Sequence, residues 1–202
     1  MSRVIAIAGG SGSGKSTLAA ALLESIGNEN LALLPIDAYY HDLSHLAFEE
    51  REAVNFDHPD AIEFDRLFDD LTSLRLGKEV HTPVYDFTQH TRSALSQSVP
   101  PADLIFLEGV LAMSDPATCE LVDYTIFVDT PLELCLARRI ERDAIQRGRS
   151  EASVRDFWET RATPMYAQFV APWRSEADLV CDGSQTIDDE LPRVGDWLQA
   201  RM

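Results

Sequence analysis

The sequence predicts an α/β domain, a central parallel sheet flanked by helices, and three observations carry that expectation. Short, continuously apolar runs recur along the chain, as strands covered on both faces require. Stretches with helical spacing separate them, which implies parallel strands joined by right-handed crossovers. The first apolar run ends abruptly in a turn of glycine and serine before a helical stretch begins. A length of 202 residues fits one domain.

Taken in order, strands are expected over residues 4–8, 31–35, 104–107, 125–128 and 179–181. Helices are expected over 15–26, 61–76 with Gly77 as a stop, 132–147, roughly 151–173, and 187–199, where Pro192 and Gly195 weigh against the last. From about residue 39 to 101 β-rich runs are scarce, and His, Asp and Tyr are frequent. Within that piece "HTPVYDF" reads as a short antiparallel strand. The piece reads as an insertion beside the carboxyl ends of the strands, where ligands bind in such sheets.

Composition excludes several functions. A formal net charge of −17 argues against nucleic acid or an anionic membrane as partner, because both need a broad positive surface. No apolar stretch approaches the roughly 18 residues of a membrane span, and the amino terminus lacks the layout of a signal peptide. Cys119, Cys135 and Cys181 lie far apart with no metal spacing, so reduced thiols in a cytoplasmic protein are expected. Against the acidic background, seven arginines cluster between 138 and 161: Arg138, Arg139, Arg142, Arg147, Arg149, Arg155 and Arg161. Solvated helix faces or a local anion site would both explain them.

Charge alone leaves both readings open, and the motifs begin with the glycine turn. "GGSGSGKST" contains the pattern G-x-x-x-x-G-K-[ST] at Gly9, Gly14, Lys15 and Ser16, with a strand before it and a helix after. Glycines let successive backbone N–H groups face one concavity, and the helix adds its positive end. Gly9, Gly10, Ser11, Gly12, Ser13, Gly14, Lys15, Ser16 and Thr17 are therefore expected to hold a nucleotide triphosphate, with the Ser16 hydroxyl within reach of Mg²⁺. The expected architecture becomes a P-loop NTPase fold. A GTPase is disfavoured, because Lys15 and Lys78 are the lysines of the chain and "GKEVH" does not fit a guanine-reading motif. Two strand ends deliver carboxylates. "DLIFLEG" presents Glu108, placed for the metal, and "LLPIDAYYHD" presents Asp37, placed to take an acceptor proton or hold the acceptor near the metal. Tyr39 and Tyr40 beside it read as pocket wall or core.

Several longer stretches carry a resemblance. "GGSGSGKST", "DAYYHDLSHL", "NFDHPDAIEFD", "PVYDFTQHTR", "LEGVLA", "IFVDT" and "RRIERDAIQRGR" closely resemble the uridine/cytidine kinase family of P-loop nucleoside kinases, within the wider uridine kinase and phosphoribulokinase superfamily. The match runs in order from about residue 4 to 149, with a weaker tail beyond. It implies transfer of the γ-phosphoryl of ATP, with Mg²⁺, to the 5′-hydroxyl of a pyrimidine ribonucleoside. By this resemblance Asp37 is the general base, and Ser16, Glu108 and Asp37 sit near the metal. Tyr40, Asp57, Tyr85, His90 and Phe157 line the nucleoside site, with Asp57 on the ribose and Tyr85 and His90 on the base. Arg139 and Arg142 act around acceptor and phosphates, while Arg147 and Arg149 belong to a lid over about 138–161. A homo-oligomer, tetrameric in the family, is also implied.

The chemistry of these side chains agrees. Vicinal hydroxyls suit a carboxylate, a flat polar-edged base suits tyrosine and histidine, and spread phosphoryl charge suits planar arginine forks. The chain departs from the family in three places, one of them "ATP" at Ala162–Pro164, where the family has "VKP" with its lysine. Phe157–Trp158 stands where the family usually has Gln-Tyr, and Asp182–Gly183 stands where it has Arg-Gly. These departures leave two other readings open: a related kinase for another nucleoside, a pentose phosphate or pantothenate, and a nucleotide-binding regulator without transfer activity. The joint presence of Lys15, Ser16, Asp37 and Glu108 disfavours the second.

Overall fold

Each apolar run read as a strand forms one. The computed structural model describes residues 2–26 and 31–201. Its strands are β1 (Arg3–Gly9), β2 (Leu31–Pro35), β3 (Val80–Asp86), β4 (Thr91–Val99), β5 (Leu104–Glu108), β6 (Tyr124–Asp129) and β7 (Leu179–Asp182). Helices are α1 (Lys15–Ile26), α2 (Phe48–Glu52), α3 (Phe64–Arg75), α4 (Pro116–Cys119), α5 (Leu132–Arg147), α6 (Glu151–Phe157), α7 (Thr163–Met165), α8 (Trp173–Glu176) and α9 (Ile187–Gln199).

The main sheet is parallel throughout, in the order β2-β5-β1-β6-β7. Parallel registry brings every carboxyl end to one edge. Pro35 lies level with Glu108, Gly9 with Val128, and Asp129 with Asp182. The glycine turn, the Asp37 turn, Glu108 and Gly183 therefore meet along a single rim, the usual ligand edge of an open α/β sheet.

Alternation along the strands sends side chains to two separate cores. Ile5, Ile7, Phe106, Ile126 and Val128 pack under α1 and α9, against Leu18, Leu22, Val194 and Leu198. Val4, Ile105 and Leu107 point the other way, against Leu67, Leu71 and Leu74 of α3. The piece that reads as an insertion thus also supplies a layer of the fold, since α3 covers one face of the sheet.

Three expectations change in detail. The helix expected over 61–76 begins at Phe64, after a tight turn at Pro59–Ala61. The backbone pairs there instead, with Ile62 bridging Tyr40 and the Glu63 N–H bonded to the Tyr39 carbonyl at 2.9 Å. The helix expected over roughly 151–173 is interrupted by widened π-type turns at Trp158–Ala162 and Tyr166–Val170. Pro164 has no N–H for the ordinary ladder, so the Thr163 N–H reaches the Trp158 carbonyl. "HTPVYDF" lies in β3, and its antiparallel partner β4 was not foreseen.

Phe106 is fully enclosed at the centre of the sheet. Phe106→Ala should lower unfolding free energy by about 3–5 kcal/mol, the range for a deleted core aromatic. Urea denaturation measures it, and a loss below about 1 kcal/mol would contradict this packing.

Candidate active site

The glycine turn is shaped from behind. Gly12 has φ 81°, and a Cβ there would stand 2.4 Å from the Cys135 carbonyl oxygen, so no other residue fits. The Thr130 hydroxyl donates to the Ser13 carbonyl at 2.8 Å. Arg138 Nη1 reaches the Ser13 carbonyl at 3.4 Å and the Gly183 carbonyl at 2.9 Å. With these carbonyls turned inward to the protein, the loop is free to present N–H groups outward. Gly183 is required for this contact, since a Cβ would lie 2.4 Å from the Ser13 carbonyl oxygen.

Two cavities open on the rim. One, of about 440 Å³, is lined by Gly12 through Leu18, Arg138, Arg142, Cys181, Asp182 and Gly183, with the start of α9 along one side. The other, of about 510 Å³, holds Ser11, Asp37, Tyr40, Asp57, Tyr85, His90, Glu108, Arg139, Arg147, Arg149 and Phe157. Lys15, Ser16 and Arg142 line both. Gly9 and Gly10 lie beneath the loop: a Cβ on Gly9 would meet the Val128 carbonyl at 2.6 Å, and the Gly10 carbonyl accepts from Lys15 Nζ at 3.3 Å.

At the junction Glu108 is buried, and its Oε1 accepts from the Ser16 hydroxyl at 3.0 Å and lies 4.0 Å from Lys15 Nζ. Burial pushes its carboxyl above the ordinary value; the Lys15 charge opposes this, and Asp37 adds to it. Asp37 stands half-buried in the tight turn Ile36–Tyr39 that follows β2.

The second cavity is walled by aromatics. His90 lies parallel over Phe56, with ring centroids 5.4 Å apart, and Tyr40 packs between Phe56 and Tyr85. The Tyr40 hydroxyl is committed to the Phe56 carbonyl at 3.1 Å, so Tyr40 serves as wall. The Tyr85 hydroxyl is buried and has no hydrogen-bond partner among the described residues. Burial holds His90 below the ordinary histidine value, and Arg147 and Arg149 push the same way. A neutral imidazole offers one donor and one acceptor. His90 takes φ 51°, closing the hairpin whose Asp86 carboxylate accepts from the Thr88 N–H at 2.8 Å.

Opposite these rings stand the arginines. Arg139 is buried and pairs with Asp57 at 3.4 Å. Phe157 lies beneath three guanidiniums, those of Arg139 and Arg149 each at 5.1 Å from its ring centre and that of Arg161 at 5.4 Å. Arg155 pairs with Glu151 on the surface, as expected for a solvated charge. Arg161, which the motif resemblance leaves without a role, donates to the Ala53 carbonyl at 2.7 Å and ties this region to α2. Phe56, Phe87, Thr130 and Arg138 were not singled out from the sequence as site residues. Arg138 was the one with a signal, since its place one turn from Arg142 puts both on the same helix face.

A phosphate-cradling turn, a buried lysine and a carboxylate facing the loop serine define a P-loop nucleotide-binding protein. The chain belongs to the Phosphoribulokinase / Uridine kinase family, whose model matches residues 4–188. It is 43% identical over 181 residues to a uridine kinase of Cronobacter sakazakii, covering 88% of this chain and 85% of that one. A uridine kinase of Ligilactobacillus salivarius is 41% identical over 202 residues, 98% of this chain and 95% of its own. Among solved structures, phosphoribulokinase from Rhodobacter spheroides superposes with a TM-score of 0.64 at 18% identity, over 91% of this chain and 73% of that one. A D-glycerate 3-kinase from Cryptococcus neoformans gives 0.63 at 18% identity, over 83% and 79%. These two likenesses concern the fold alone.

Tyr85→Phe removes a buried hydroxyl that has no hydrogen-bond partner among the described residues. Its thermal midpoint should hold or rise, because an unsatisfied buried hydroxyl costs about 1–3 kcal/mol. A clear fall in the midpoint would show that the hydroxyl is bonded in the free protein.

Proposed function

We propose that this protein transfers the γ-phosphoryl group of ATP to the 5′-hydroxyl of uridine or cytidine. One observation carries the reading: two ligand-sized cavities meet at Lys15, Ser16 and Arg142, and of the two the second is walled by aromatic rings while the first has none. A triphosphate lying over the glycine turn would end where a nucleoside in the second cavity presents its hydroxyl. Uridine kinases that match nearly the whole chain support a nucleoside over a pentose phosphate or pantothenate.

In this reading the loop N–H groups and Lys15 bind the β- and γ-phosphates. Asp57 accepts from the ribose hydroxyls, and Arg139 orients that carboxylate. Tyr85 and His90 hydrogen-bond the base edge between the aromatic walls. Asp37 takes the proton of the attacking 5′-hydroxyl, and Arg142, Arg147 and Arg149 stabilise charge on the moving phosphoryl group. Gly148, at φ 63° between helices α5 and α6, is placed to let the arginine segment close over the substrates.

The oxygen donors at the junction suit Mg²⁺. Ser16, Glu108 and Asp37 offer hard oxygen donors, and the buried Glu108 carboxylate accepts, among the described residues, one side-chain hydrogen bond, from the Ser16 hydroxyl, with Lys15 Nζ 4.0 Å away. Among the described residues no cluster of three or more His, Cys, Asp or Glu could hold a metal unaided, which fits an ion held largely by phosphates. When bound, Mg²⁺ would neutralise charge on the phosphates and fix their orientation. Among the described residues no helix is long and apolar enough to cross a membrane. The three unpaired cysteines suit the reducing cytoplasm.

ADP release measured across ribonucleosides, deoxynucleosides, pantothenate and ribulose 5-phosphate tests the assignment. Uridine and cytidine should turn over well above background; turnover confined to another acceptor would overturn it. Asp37→Asn should lower kcat by about 10²–10⁴-fold with ATP affinity nearly kept. Near-normal kcat in that variant would remove Asp37 from the base role. Tyr85→Phe should weaken uridine binding by about 1 kcal/mol in titration calorimetry, and unchanged affinity would remove its hydroxyl from base recognition.

A further inference from the structure

Helix α5 carries one carboxylate that this reaction leaves without a task. Asp143 is fully buried, and four guanidiniums converge on it. Its Oδ1 accepts from Arg142 Nε at 3.0 Å and lies 2.8 Å from Arg142 Nη2 and 3.6 Å from Arg147 Nε. Its Oδ2 lies 3.7 Å from both Arg139 Nε and Arg149 Nη1. The main-chain carbonyl of the same residue accepts from the N–H groups of Gly148 and Arg149, and so holds the turn where α5 ends.

Two features set this apart from an ordinary surface ion pair. Close contacts are unbalanced: among the described residues, Asp143 and Asp57 are the carboxylates within 4.0 Å of the four guanidiniums, while Asp37 and Glu52 act on Arg147 and Arg149 from farther off. Several contacts are also incomplete. Arg139 Nε and Asp143 Oδ2 are buried without hydrogen bonds among the described residues, and the Arg147 and Arg149 contacts exceed hydrogen-bond length. Arg139 is buried and the other three are partly buried, and guanidiniums withdrawn from water and short of close negative charge are costly to keep. A phosphoryl group entering the shared rim would supply what they lack.

We infer that Asp143 is a positioning residue: an internal counter-anion that gathers Arg139, Arg142, Arg147 and Arg149 into one set yet leaves it under-neutralised, aimed at the transferring phosphoryl group. This rests on the kinase reading above. The loosely held contacts of Arg147 and Arg149 are the ones given up when the lid closes on substrate. Arg139 and Arg142 keep Asp143 as their anchor.

Asp143→Asn keeps the shape and removes the charge. With the site one unit more positive, ATP should bind at least as tightly as to the unaltered enzyme. The displaced arginines should meanwhile lower kcat by about tenfold or more. Asp143→Glu, which restores charge with a longer reach, should bind ATP normally and recover part of kcat. ATP affinity by titration calorimetry, kcat with uridine and thermal midpoint are read together. A purely structural Asp143 predicts the opposite pattern, in which ATP affinity and midpoint fall together and kcat of the folded fraction stays normal. That result, or a kcat unchanged in both variants, overturns the inference. Should Asp143→Asn fail to fold, Asp143→Glu decides alone: normal ATP binding with reduced kcat supports the role, and normal kcat or lost ATP binding refutes it. The unaltered enzyme with uridine is the control. Its inactivity would sink the function proposed above, while the ATP affinities of the variants would still report on Asp143.

Discussion

The carbonyl of Ser13 is the contact on which the rest of the site depends. It accepts from the Thr130 hydroxyl at the end of β6 and from Arg138 on α5, while Gly183 from the β7 turn packs against it. A peptide unit whose C=O is fastened inward has its N–H facing the opposite way. That single constraint turns a run of glycine and serine, flexible as a free chain, into a preformed anion cradle. Preorganisation of this kind matters because the donors need not reorient at the moment of phosphoryl transfer. The same contact links three strand ends, so the parallel sheet and the cradle stand or fall together.

Electrostatics then divides the molecule. The chain carries a formal charge of −17, a poor surface for binding a triphosphate. Six of its 17 Lys and Arg residues, Lys15, Arg138, Arg139, Arg142, Arg147 and Arg149, nevertheless gather around the two cavities. A small, partly buried cluster acts at short range, where salt screens it least. Carboxylates are placed with equal economy. Glu108 faces the loop serine, Asp37 the acceptor cavity, Asp57 the buried Arg139, and Asp143 the arginine set.

Much of this could be read from the sequence, for physical reasons that also explain what could not. The five parallel strands are buried on both faces, so their apolar runs are unbroken and unmistakable. The loop motif is similarly explicit, because each of its residue types answers a geometric demand. Strand β4 escaped because "TRSALSQSV" lies in a two-stranded ribbon with most of its side chains exposed, which leaves no apolar pattern to read. The widened turns after α6 escaped because helical periodicity does not distinguish one ladder from another. Tyr40 and Phe157, expected at a nucleoside site, line the ring-walled cavity proposed to be that site, with the Tyr40 hydroxyl tied to the backbone and the Phe157 ring beneath guanidiniums. Asp143 hid among the charges of "RRIERDAIQRGR". Its spacing of four residues from both Arg139 and Arg147 was the available clue, but the same spacing describes any solvated helix face.

The central claim is that one enzyme surface holds a triphosphate and a nucleoside end to end, with the transferring phosphoryl between them. A dinucleoside tetraphosphate joining adenosine to uridine through their 5′ positions would occupy both cavities at once. Titration calorimetry should find it binding at least about tenfold tighter than either ATP or uridine alone, since the second contact becomes intramolecular. An affinity no better than that of ATP would mean that the two cavities do not form one site.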